Sequence, residues 1–181
     1  MQIFSPLRPV ITCLALVAAI AFASTATSHA KPLNVVATTS MIADAARQIA
    51  GDRAEVKALM GPGVDPHSYR QTRSDIAAMA RADLVLWHGL YLEAQLEEFF
   101  FDLGKRRNVV AVGEAVARDK LLSHADYDGR FDPHVWMDPK LWETVVYAVR
   151  DALIATDPDG AAAYTANAKA HIAEIKKLTD Y

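Results

Sequence analysis

Four short β-branched runs alternate with stretches of helical periodicity, and this alternation limits the fold more than any other feature of the chain. The runs are Asn34 to Thr39 (NVVATT), Ala54 to Leu59 (AEVKAL), Asp83 to Trp87 (DLVLW) and Asn108 to Val112 (NVVAV). The first and last read as buried strands, and the second alternates apolar residues with charge. Ser40 is placed to cap the helix after the first run, where Ile42, Ala46 and Ile49 share a face before Gly51 ends it. Thr72-Arg73-Ser74-Asp75 resembles a capping box and opens a second helix with Ile76, Met79 and Ala80 inward. Leu92, Leu96, Phe99, Phe100 and Leu103 then recur at helical spacing up to Gly104, with one ring of the Phe99-Phe100-Phe101 run exposed. The pattern predicts an α/β fold: a four-stranded parallel sheet flanked by helices.

Two further helices follow a polar loop. Asp138-Pro139 is a strong start signal, and Trp142, Val145, Val146, Val149 and Leu153 form the buried stripe behind it. Asp157-Pro158 repeats the signal, and Tyr164, Ala168, Ile172, Ile175 and Leu178 continue at a 3.6-residue period to Tyr181. A helical pattern that stops in mid-stripe is expected of a chain cut short.

Residues 1–30 stand apart. Arg8 precedes an apolar run from Val10 to Ala23, and Ser28-His29-Ala30 supplies small residues where a signal peptidase cuts. The run is short for a membrane span, so the segment reads as a cleaved signal peptide, with an uncleaved anchor as the alternative. The single cysteine, Cys13, lies inside it, and Val10-Ile11-Thr12 before it do not form a lipid-attachment signal. The expected mature chain therefore has neither disulfides nor thiolate ligands, which leaves His, Asp and Glu for any metal. With Arg8 gone, 18 basic residues face 22 acidic ones, a net charge of −4. That balance offers nothing to nucleic acid.

One tripeptide occurs twice, as Asp65-Pro66-His67 and Asp132-Pro133-His134. Proline fixes the backbone one residue before each imidazole, and the preceding Asp can brace the loop by accepting nearby amides. Both histidines follow strand ends, the edge where parallel α/β sheets bind ligands. One such tripeptide is ordinarily just a turn; two on one edge point to a divalent-metal site with His67 and His134 as ligands. Among the other histidines, His88 ends a strand at the same edge and is expected to pack or hydrogen-bond nearby. His124 is a lone loop residue, and His171 lies beside the stripe of the last helix.

Asp65-Pro66-His67-Ser68-Tyr69, Ala82-Asp83-Leu84-Val85 with Gly89-Leu90-Tyr91-Leu92-Glu93, and Asp132-Pro133-His134-Val135-Trp136-Met137-Asp138-Pro139 together resemble the manganese/zinc-binding solute-binding proteins of metal ABC transporters. The resemblance spans essentially everything after the signal. It implies two α/β lobes joined by a long helix, one bound divalent cation between them, and delivery of Mn²⁺ or Zn²⁺ to a membrane permease by a periplasmic monomer. It maps the family's first two ligands onto His67 and His134. It divides the chain into a signal (1–30), a first lobe (31–157) and the start of the interlobe helix (158–181). The family's third and fourth ligands belong to a second lobe and map onto no residue here.

The resemblance gives Glu93 a choice between bracing a ligand and sitting solvated on a helix, the commoner fate of a carboxylate. Trp136 and Tyr69 flank the two histidines, either excluding water or packing. Only His124 interrupts 113–131 as a histidine, which favours manganese, or mixed manganese and zinc, over a zinc-specific protein. Two other readings stand beside transport: a truncated remnant without function, and a two-histidine metallohydrolase. The chain has no His-Glu-x-x-His helix and no Gly-x-Ser-x-Gly turn to support an enzyme.

Overall fold

The computed structural model describes residues 31–178; the expected signal peptide lies outside the described residues. Strands β1 (Leu33–Ala37), β2 (Ala54–Ala58), β3 (Leu84–Trp87) and β4 (Val109–Ala111) form one sheet in the order β2-β1-β3-β4. All three pairings are parallel, with Val35 opposite Val56, Val36 opposite Val85, and Leu86 opposite Val110. Helices α1 (Ser40–Ala50), α2 (Arg73–Arg81), α3 (Glu97–Gly104), α4 (Pro139–Thr156) and α5 (Ala161–Lys177) cover it.

The two faces follow from the two-residue period of a strand. Val35, Ala37, Leu84 and Leu86 point into one core, which they share with Ile42 and Ile49 of α1, Val145, Val149 and Leu153 of α4, and Tyr164 and Ile172 of α5. Val36, Val85 and Trp87 point the other way, onto Met79 of α2 and Phe100 and Leu103 of α3. Covering both faces is what makes the first and third strands almost wholly apolar. β2 is an edge, and its outward Glu55 and Lys57 protect it from pairing with another chain.

Several local expectations need correction. Thr39, not Ser40, caps α1: its hydroxyl accepts the Ile42 amide at 3.4 Å, and Ser40 is already helical. The capping box at Thr72 and Asp75 is present, but it turns Asp75 inward with Met79, leaving Ile76 39 % exposed. The third helix begins at Glu97 rather than near Leu92, because Gly89, Leu90 and Tyr91 all have positive φ (79°, 53° and 68°) and the chain turns sharply there. Leu92 and Leu96 are nonetheless buried ahead of the helix. Phe101 is the exposed ring of the phenylalanine run, at 61 %.

Asp138 caps α4 as expected, accepting the Lys140 amide at 2.8 Å. Asp157 does not cap α5. Its carboxylate instead takes the Arg53 guanidinium at 2.6 Å and the Tyr164 hydroxyl at 2.6 Å, and α5 starts only after a short 3₁₀ turn over Pro158–Gly160. Gly160 is required there, since a Cβ would lie 2.4 Å from the Tyr164 ring. The predicted stripe of α5 is buried through Ile175, whereas Leu178 is exposed. No helix among the described residues is long and apolar enough to cross a membrane.

Candidate metal-binding edge

The loops after β2 and β4 meet beyond the carboxyl ends of the strands. In the first, Asp65 Oδ1 accepts the His67 amide at 2.9 Å and Oδ2 accepts the Ser68 hydroxyl at 2.8 Å. In the second, Asp132 Oδ1 accepts the His134 amide at 2.9 Å. Each is the Asx turn that the Asp-Pro-His spacing predicts. Donors from Ser68 and then from the His67 amide hold the Asp65 carboxyl below its ordinary range. The His134 amide does the same for Asp132, against the cost of burial.

Both imidazoles are exposed, and their Nε2 atoms approach to 3.5 Å with ring centroids 5.5 Å apart. Their Nδ1 sides differ. His134 Nδ1 lies 2.6 Å from Asp132 Oδ1. An ionised carboxylate only accepts, so Nδ1 carries the hydrogen and Nε2 presents a lone pair outward. That is the tautomer a cation needs, and a carboxylate behind an imidazole fixes the orientation of the ring as a ligand. Among the described residues no group of three or more His, Cys, Asp or Glu side chains comes together at metal-binding distance. The arrangement is a pair of exposed imidazoles with their Nε2 atoms facing each other.

Behind this pair lies a buried layer. His88, which is fully buried, packs its ring edge-on against Trp136 at 5.4 Å, and Trp136 also meets His134 at 5.1 Å. His88 Nε2 is 2.7 Å from the Pro133 carbonyl. The expectation that His88 packs and hydrogen-bonds nearby holds. Burial, with a smaller push from His134, drives its pKa down to about 4 despite that carbonyl.

Glu93 is the larger surprise: it is 1 % exposed, not solvated on a helix. Its carboxylate accepts the Thr38 hydroxyl at 2.6 Å and the His88 and Gly89 amides at 2.8 and 3.2 Å. Burial raises its pKa, and those three donors oppose the rise. Glu114 adds a further anchor by accepting the Leu90 amide at 2.9 Å. Together these carboxylates hold the unusual run of positive φ after β3. The Gly89-Leu90 turn was the only sign in the sequence that Glu93 lay outside a helix.

Tyr69 is partly buried against the core that holds Met79 and Phe100. Its hydroxyl is given to Asp75 at 2.8 Å, and burial followed by that carboxylate pushes its pKa up to about 12. His124 is half-buried against Tyr127 and accepts the Asp126 amide through Nδ1. His171 lies on α5, where it lines a surface pocket with Trp136 and Trp142.

Two histidine loops thus meet on the carboxyl edge of a doubly covered parallel α/β sheet, the edge where such folds bind ligands. Residues 35–181 match the family model described as "Zinc-uptake complex component A periplasmic". The chain belongs to this family. It is 43 % identical over 156 residues to the zinc-binding protein TroA of Treponema pallidum, covering 86 % of this chain and 50 % of that protein. Against the manganese-binding lipoprotein MntA of Bacillus subtilis, the identity is 40 % over 146 residues, 81 % of this chain and 47 % of the relative. The solved periplasmic zinc-binding protein TroA superposes with a TM-score of 0.79, covering 84 % of this chain and 54 % of that one. The Mn-bound periplasmic metal-binding protein of Candidatus Liberibacter asiaticus gives a TM-score of 0.72 at 31 % identity, with 81 % and 54 % covered. The chain thus spans about half the length of the curated relatives it matches. Their names are those of metal-binding proteins, not enzymes.

Proposed function

We propose that residues 31–157 are the metal-capturing first lobe of an exported solute-binding component of a divalent-metal ABC transporter, with His67 and His134 as two ligands to the transported ion. The observation that carries this reading is the 3.5 Å separation of the two Nε2 atoms. Two nitrogens on one tetrahedral zinc, each about 2.0–2.1 Å from it, lie roughly 3.3–3.4 Å apart. The observed spacing of the two nitrogens is thus close to the one they would have on a shared cation.

In this reading residues 1–30 direct export to the periplasm and are cleaved, and residues 158–181 begin the helix that leads to a second lobe. That lobe supplies the remaining ligands and closes the site before the ion passes to a membrane permease. Manganese and zinc are the cargo candidates. Imidazole pairs bind any late first-row ion more tightly than Mn²⁺, so the missing donors must set the choice. The relatives' names are divided among zinc, manganese and iron, and with the histidine-poor stretch 113–131 they support keeping manganese beside zinc.

Metal titration of the whole chain beside H67A, H134A and the double variant tests this. Thermal unfolding with Zn²⁺ at 100 times its dissociation constant is expected to show about 2.7 kcal/mol of added stability. The gain should shrink in each single variant and vanish in the double one. A gain that survives the double variant would place the ion elsewhere and sink the assignment.

A further inference from the structure

We infer that His88 is a positioning residue for the second histidine loop, holding the peptide that carries His134 from a buried site behind it. This rests on the proposed reading of His67 and His134 as ligands to the cargo ion.

Every polar handle of His88 but one is engaged. Its amide is given to Glu93 Oε1 at 2.8 Å, and its carbonyl accepts the Gly113 amide at 2.8 Å. Its Nε2 faces the Pro133 carbonyl at 2.7 Å. A carbonyl can only accept, so Nε2 carries the hydrogen and Nδ1 is left with its lone pair. Nδ1 is buried and is the one buried side-chain nitrogen or oxygen without a partner among the described residues. An unsatisfied buried acceptor is costly, and an apolar side chain would avoid the cost. What the imidazole supplies in return is the bond to Pro133.

Pro133 immediately precedes His134, and it is itself buried. Fixing its carbonyl fixes the peptide plane from which His134 departs. The Trp136 indole adds a second link, since it lies edge-on to His88 at 5.4 Å and to His134 at 5.1 Å. Gly113 lets the chain pack closely on the ring, since a Cβ there would lie 3.0 Å from His88 Nε2. Thr38, Glu93, His88 and Pro133 thus form a continuous line from the end of β1 to the second ligand loop.

The test uses the whole chain, labelled with ¹⁵N, as the native sequence, H88M, H88Q and H67A/H134A. H88Q retains a nitrogen donor long enough to reach the Pro133 carbonyl; H88M fills similar volume without one. In metal-free protein, the His134 ring signal should shift or split in H88M, the His67 ring signal should not, and H88Q should match the native spectrum. Zinc affinity, read by competition with a chromophoric chelator, should fall about 10–100-fold in H88M, the usual effect of removing a residue that orients a ligand, and recover in H88Q. A folded H88M with native ring signals and native affinity overturns the inference. Should H88M not fold, H88N replaces it. Its amide is one methylene too short for the carbonyl, and equal behaviour of H88N and H88Q overturns the inference in the same way. If native protein binds zinc no better than H67A/H134A, the ligand assignment fails instead. The metal-free ring signals then still decide what His88 does.

Discussion

The His134 imidazole meets its own loop's carboxylate, with Nδ1 2.6 Å from Asp132 Oδ1, whereas Asp65 commits its oxygens to the His67 amide and the Ser68 hydroxyl. Two identical tripeptides thus perform different tasks. One Asp braces a loop; the other braces a loop and orients an imidazole. Asp132→Asn should therefore lower zinc affinity about 10–100-fold, with Asp65→Asn costing distinctly less. Chelator competition on the two variants side by side measures the difference, and equal losses would erase the distinction.

Glu93 organises three donors with one buried carboxylate. Glu93→Ala leaves the His88 and Gly89 amides and the Thr38 hydroxyl without an acceptor, a loss of roughly 3 kcal/mol in unfolding free energy. Glu93→Gln keeps an acceptor and avoids the burial of charge, so its loss should be nearer about 1 kcal/mol. Urea denaturation of both variants gives these values directly. A Gln variant as weak as the Ala variant would mean that the negative charge, not the acceptor geometry, holds the turn.

Gly113 has to be glycine for a steric reason. A Cβ there would sit 2.6 Å from the His88 carbonyl oxygen, and backbone cannot yield as a flexible side chain does. Gly113→Ala should destabilise by about 1–3 kcal/mol, the usual range for overpacking. A thermal midpoint within error of the native protein would show that the loop after β4 relaxes freely.

The ion pair between Arg53 and Asp157, with Tyr164 donating to the same oxygen, ties the start of β2 to the junction of α4 and α5. Burial works against the Asp157 carboxylate, yet Tyr164 and Arg53 hold its pKa below 3.8. A carboxyl group whose pKa is depressed by folding binds fewer protons in the native state. Its contribution is present above the unfolded value and disappears as the pH falls through the native one. Stability measured from pH 5 to pH 2 should therefore fall less steeply in Asp157→Asn than in the native chain. Parallel acid limbs would show that other carboxyl groups dominate.

The sheet and its helices were legible because their signals are local and repeated. Val35, Val36, Leu84 and Val85 could only be strand residues covered on both sides, and the stripes of α4 and α5 reach the core as their spacing requires. The paired loops were legible for a similar reason: proline and Asx chemistry act within three residues. What escaped was set by distant partners. Asp157 looked like a cap until Arg53, 104 residues away, claimed its carboxylate. Glu93 looked solvated until Thr38, 55 residues away, reached it. Ile76 and Asp75 traded faces because the inward Asp75 is secured by Tyr69 and Thr72, a contact that outweighs apolar periodicity over a single turn.

The sheet order puts the two histidine loops after its two outermost strands, β2 and β4, about 14 Å apart at ordinary strand spacing. The imidazoles meet only because both loops lean inward across β1 and β3. An ion shared by them would clasp the two margins of the sheet and close a ring of chain 67 residues long. A covalent clasp of that span limits the unfolded chain by about 4 kcal/mol. A bound ion would then act as a removable rivet: with it in place the fold would resist unravelling from either margin, and its loss would restore that freedom.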